Sequence, residues 1–191
     1  MIASTNRTKE RILSAAYDLL YKEGFVRVSM DAIAQAAGVT KRTLYYHYES
    51  KDGLAAAVLD HQHLYALERI QGWSTGPAET PSDYLAGLFQ QIEAWASERR
   101  WLGSGFTRLT MELADLPGHP VRRAAHQHKL AVESWLSSEL ERLGARSAKE
   151  LARQVMLLIE GCLSLVLIHG DTSYVSAAAK AATRLANCST E

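Results

Sequence analysis

The sequence predicts an all-α fold, a small three-helix domain followed by a larger helical one. Three observations carry this. Apolar residues recur three and four positions apart in every long segment; capping residues, glycines and prolines bracket those segments; and no stretch shows the strict alternation of a strand. With 191 residues the chain can close a sizeable core. The boundary is drawn at 52/53, giving domains 1–52 and 53–191.

Residues 1–6 have no period and are read as a mobile arm. From Thr8, a capping residue, Ile12, Leu13, Ala16, Leu19 and Leu20 trace one face of a first helix that stops before Gly24. Ser29 caps a second helix from Met30, with Val28 and Ile33 at the spacing of a hydrophobic staple. Gly38 can take the positive φ that ends it. Thr40 caps a third helix at once, and Val39 and Leu44 repeat the staple. Two short stapled helices joined by a glycine turn make a helix-turn-helix.

Ser50 caps a fourth helix, Lys51 to about Ile70, which leaves the small domain and is the natural lever into the rest. Gly72 to Ser82 is a loop by composition. A fifth helix over Pro81–Arg99 carries Leu85, Leu88, Phe89, Ile92, Trp95 and Ala96 at helical spacing, and a sixth covers Phe106 to Leu113. Pro120 opens a seventh, closed by Gly144, whose inner stripe includes Val121, Ala125, His128, Val132, Leu136 and Leu140. Ser147 and Glu150 read as a capping box for an eighth helix ending near His169. From Val155 onward it is apolar on nearly all sides and must meet more than one neighbour. Thr172 or Ser173 caps the last helix, whose alanines at 177, 178, 179, 181, 182 and 186 permit close helix approach. The last two helices are read as a homodimer interface.

The third helix holds the chemistry. Thr40, Lys41, Arg42 and Thr43 put two cations and two hydroxyls on its first turn, which suits base edges and phosphates when a helix N-terminus enters a major groove. Tyr45, Tyr46 and His47 can reach phosphate oxygens, as can Ser29 and Lys51, with Tyr46 also within range of a base. Tyr48, between Leu44 and Leu54, is expected to pack inward.

The ungapped run Gly38, Val39, Thr40, Thr43, Leu44, Tyr45, His47, the aromatic at 48, Lys51 and Leu54 resembles the TetR family of bacterial transcriptional regulators. The resemblance covers the first quarter to third of the chain. It implies a DNA-binding repressor that dimerises and leaves a palindromic operator on double-stranded DNA when a small-molecule effector binds. Family members commonly have glycine where this chain has Arg42, so a longer, charged side chain faces the groove.

Lys plus Arg equals Asp plus Glu at 21 each, so no global cationic field draws the chain to nucleic acid, and any binding must be local. Arg7, Lys9, Arg11, Arg27, Lys41, Arg42 and Lys51 concentrate positive charge around the motif. Cys162 and Cys188 have no metal-ligand spacing, and no cofactor is implied. The N-terminus lacks a signal-peptide core, and the apolar run Val155–Ile168 is shorter than the ~20 residues of a membrane span. A soluble, cytoplasmic protein without membrane partners is expected.

For the larger half, Phe89, Trp95, Trp101, Phe106, Met111, Trp135 and Met156 would suit the wall of an apolar effector pocket, with His128 and Glu160 as the polar residues caught inside. Glu160, set among leucines, must find a donor: Arg108, His128, a backbone cap or a cationic effector. The competing reading is an enzyme or metal protein with a vestigial motif, built on Glu112, Asp115, His119, His126 and His128. His126 and His128 point to different helix faces and no HExxH spacing exists, which argues against it.

Overall fold

The computed structural model describes residues 2–73 and 78–188, with side chains from residue 6. Among the described residues there are nine α-helices and no strand: α1 Ile2–Glu23, α2 Met30–Ala36, α3 Lys41–His47, α4 Lys51–Gly72, α5 Pro81–Ala96, α6 Gly105–Glu112, α7 Pro120–Arg142, α8 Ala148–His169 and α9 Ser173–Cys188. The all-α expectation holds. Helix α1 begins at Ile2, ahead of Thr8, so an arm up to Asn6 is corrected for residues 2–6, and Met1 lies outside the described residues. Helix α4 runs two residues past Ile70, to Gly72, and 74–77 of the expected loop lie outside the described residues.

The chain forms two compact units. The first runs to Tyr65 and resumes over Ser104–His128; the second comprises Ala66–Gly103 and the chain from Lys129 onward. Compactness therefore divides the chain inside α4 and not at 52/53. The reason is side-chain bonding within the first unit. Leu54, Ala55, Val58 and Leu59 of α4 are buried, and two histidines tie α4 to the start of α7. His119 Nε2 lies 3.3 Å from Asp52 Oδ2, and His63 Nδ1 lies 3.0 Å from His128 Nδ1. Helix α6 joins through Arg108, whose Nη1 donates to Tyr21 O at 2.6 Å, and through Glu112, whose Oε2 accepts from Val26 N–H at 3.0 Å.

In the second unit α9 packs on α5 and α8. Val175, Ala178, Ala182 and Ala186 are buried there with Leu85, Leu88, Phe89 and Ile92 of α5 and Leu151, Ala152 and Val155 of α8. Small residues every fourth position let the backbones approach, so α9 uses its buried alanines inside its own chain. The capping box expected at the start of α8 does not form. Ser147 has φ −114° and ψ 48°, off the extended conformation of a cap, and its side chain makes no capping bond. Before α9, Asp171 Oδ1 accepts from Ser173 N–H at 2.9 Å.

Helix α8 is longer than its apolar run suggested: 22 residues, with a mean hydropathy of 1.9 over its most apolar window, long and apolar enough to cross a membrane by length and composition alone. It buries Leu151, Ala152, Val155, Met156, Cys162, Leu163 and Val166 in the core of its unit. Its other side leaves Leu157 71% and Ile168 70% exposed.

Candidate nucleic-acid interface

Both capping expectations in the motif are met. Ser29 Oγ accepts from Ala32 N–H at 3.1 Å and Thr40 Oγ1 from Thr43 N–H at 3.1 Å, and both residues have extended backbone. Ile33 and Leu44 are fully buried and Val28 nearly so, so the apolar side of each short helix is anchored. Gly38 turns the chain with φ +61°. A side chain there would also meet Arg11, since an added Cβ would lie 2.9 Å from its Nη2.

Arg11 uses that space. Its Nη2 donates to Ala37 O at 2.5 Å and Gly38 O at 3.0 Å, covering carbonyls freed at the end of α2. Lys51 does the same from the other side. Its Nζ donates to Phe25 O at 2.8 Å and Val28 O at 2.9 Å and lies 4.3 Å from the centre of the Phe25 ring. Arg11 and Lys51 thus pin the backbone on either side of α2. Two of the three Lys51 donors, which the sequence assigned to phosphate, are engaged inward, because the Phe25 and Val28 carbonyls at the loop before α2 have no helical partner. Tyr48 is buried as expected, and loss of solvent pushes its hydroxyl up to about 12.

The outward face carries Thr40, Lys41, Arg42, Tyr45 and Tyr46, all exposed, with Thr43 and His47 half-buried beside them. Tyr46 is 80% exposed and stands edge-on to His47. Thr40 Oγ1 and Thr43 Oγ1 share a hydrogen bond of 2.8 Å. The Lys41 ammonium pairs with Asp31 of α2 at 2.8 Å, and that hydrogen bond holds its pKa above the usual lysine range. Arg42 extends into solvent between these groups. A helix N-terminus with exposed hydroxyls and two cations, held from behind by a dry core, is a surface built to enter a groove and meet anionic oxygens and base acceptors.

Residues 12–58 match the profile of the family described as "Bacterial regulatory proteins, tetR family". A solved TetR transcriptional regulator from Streptomyces avermitilis is 31% identical, covers 92% of this chain and 97% of its own, and superposes with a TM-score of 0.76. The chain belongs to the TetR family. Among other relatives, the Escherichia coli regulator YjdC is 25% identical over 94% of this chain and 95% of its own. The Bacillus subtilis regulator LmrA is 29% identical over 84% and 86%. This TetR-family chain is accordingly a DNA-binding transcriptional regulator.

The residues expected around an effector fall into two groups. Phe106, Met111 and His128 belong to the first unit, whereas Phe89, Trp95, Trp101, Trp135, Met156 and Glu160 belong to the second. Phe89 is fully enclosed by its neighbours at 1% exposure and Met156 is buried at 9%. Met111 is 67% exposed on the outer side of α6, which corrects its placement inside a wall. His128 stacks on Phe106, ring centres 3.7 Å apart, while it faces His63. Glu160 pairs with Lys129 of α7, and Arg108 donates to Tyr21 O. Of the metal set, His119 Nδ1 accepts from Val121 N–H at 3.2 Å, which leaves Nε2 as the donor toward Asp52. Sequence reasoning placed Trp95 and Trp101 together in a pocket wall but missed Arg69 and Trp73 beside them, because Trp73 fell in the stretch read as a loop.

Proposed function

We propose that this regulator is a cytoplasmic, homodimeric repressor, not an enzyme, that holds a palindromic operator and releases it when a small-molecule effector binds the larger part of the chain. The observation that carries the DNA-reading half is the exposed first turn of α3, with Arg42 unshielded. Arg42, Lys41 and Thr43 read base edges with Tyr46 in reach, while Ser29, Thr40, Tyr45 and His47 hold phosphates. The dimer reading rests on α8. Leu157, Gly161, Leu165 and Ile168 recur at helical spacing and are all exposed, an apolar stripe that a second copy would cover. Two recognition helices then stand about 34 to 36 Å apart, one helical turn of DNA. Helix α4 begins three residues after α3 and carries the effector's signal to it.

Selection of bound sites from random duplexes with the full chain tests the reading, combined with light scattering. A palindromic consensus and a dimer mass are expected. A monomer, or the absence of any selected sequence, overturns it. A compound screen against the selected site tests effector release.

A further inference from the structure

We propose that Trp73, Trp95 and Trp101 form a box for the cationic head of a small organic molecule, of the quaternary ammonium class, and that Arg69 fills the place of that charge in the present structure. The inference rests on the effector reading above and gives that effector a chemistry.

All four residues lie in the second unit. The Trp73 and Trp95 ring centres are 5.8 Å apart and tilted by 44°, and Trp101 stands perpendicular to Trp95 at 5.7 Å. The Arg69 guanidinium carbon is 5.2 Å from the Trp95 centre and 5.7 Å from that of Trp73. Those two ring contacts are its interactions among the described residues; no carboxylate there lies within ion-pair distance. An indole face attracts a cation through its quadrupole, best when the cation is weakly hydrated. Two faces converging on one charge are what a quaternary ammonium needs.

The box is firm and its present occupant is loose. Trp73, Trp95 and Trp101 are partly buried against the core of their unit, whereas Arg69 sits exposed in the last turn of α4, on a long side chain free to swing away. Trp101 adds an unmet demand. Its Nε1 is buried and has no acceptor among the described residues. A buried donor without a partner is costly, and a ligand whose oxygen reached it from the cationic head would relieve that cost. A simple surface stack of arginine on tryptophan would not call for that acceptor. Displacing Arg69 also frees the end of the helix whose other end adjoins the recognition helix.

Choline is the probe, followed by tryptophan fluorescence of the full chain, with 3,3-dimethylbutan-1-ol as its uncharged isostere. Saturable quenching by choline is expected, with the isostere roughly tenfold weaker. Arg69→Ala removes the internal competitor, so choline should bind it several-fold more tightly, while Trp73→Leu should weaken binding. Equal affinity for the two probes, or an Arg69→Ala variant that binds choline no better than the parent, overturns the proposal. Benzoate binding that disappears in Arg69→Ala would also overturn it, showing an anion site on the guanidinium. Should Trp73→Leu fail to fold by circular dichroism, the exposed Arg69 variant decides alone. Choline binding without loss of operator affinity keeps the box and refutes its role as the effector site. Operator release by another compound, without choline binding, refutes the box and keeps the effector reading.

Discussion

Lys41 and Asp31 form a bidentate contact across the helix-turn-helix, with Nζ 2.8 Å from Oδ1 and 3.0 Å from Oδ2, so the first cation of the recognition helix is tethered before DNA arrives. The pair is exposed on both sides and adds little stability, but it places a carboxylate on the face that meets phosphates. Asp31→Asn should therefore raise affinity for all duplexes alike and steepen the salt dependence by about one, as one more cation becomes free to displace a counterion. Anisotropy titrations at several salt concentrations read this. An unchanged slope would place Lys41 away from the DNA.

Arg42 should behave differently because it is proposed to read a base. Arg42→Ala should cost roughly 1 to 3 kcal/mol on the selected operator and relax preference at one position of each half-site. Uniform weakening on every operator variant would make Arg42 a phosphate contact.

For Lys51 the geometry predicts a fold effect. Its ammonium bonds Phe25 O and Val28 O from a half-buried position, and charge-assisted bonds of this kind are strong. Lys51→Met keeps the stem against Phe25 but loses both bonds, and should lower unfolding free energy by about 2 kcal/mol with the salt slope for DNA unchanged. Urea melts and salt titrations on the same variant separate the outcomes. A normal melt with a reduced salt slope would restore Lys51 to the phosphate set.

The contrast between Lys41 and Lys51 shows what was legible in the sequence. Ser29, Thr40, the Val28–Ile33 and Val39–Leu44 staples and Gly38 were readable because each acts within four or five residues, where spacing determines geometry. The partners of Arg11 and Lys51 are carbonyls 26 and 27 residues, and 26 and 23 residues, away, and a carbonyl leaves no mark in a sequence. Glu160 was correctly read as needing a donor, yet Lys129 lies 31 residues earlier on another helix, and composition cannot choose among distant donors. Ser147 failed as a cap for a local reason: the residue type was right and the backbone was not.

The exposed stripe on α8 gives a test of assembly. Leu157 is 71% and Ile168 70% exposed, and burying two such side chains in a dimer is worth about 1.5 to 3 kcal/mol each. Leu157→Glu combined with Ile168→Glu should shift the protein to monomer while its helix content stays unchanged, and operator affinity should fall with it. A double variant that still sediments as a dimer would move the interface elsewhere.

Two buried acids make the fold sensitive to alkali. Burial pushes the Tyr48 hydroxyl from 10.0 up to about 12, and desolvation pushes the Cys162 thiol from 9.0 up to about 11. Both folded values exceed the unfolded ones, so the native state holds its protons longer. Their contribution is fully present below pH 9 and is lost as pH rises through 9 to 11 for Cys162 and 10 to 12 for Tyr48. Tyr48→Phe should flatten the upper part of that decline, and Cys162→Ala the lower part. Because the Tyr48 hydroxyl is buried without a hydrogen-bond partner among the described residues, Tyr48→Phe should also leave neutral-pH stability equal or raise it by about 1 kcal/mol. Denaturant melts of the parent and both variants from pH 7 to 12 check this. Parallel declines in all three would show that neither group keeps its proton in the folded state.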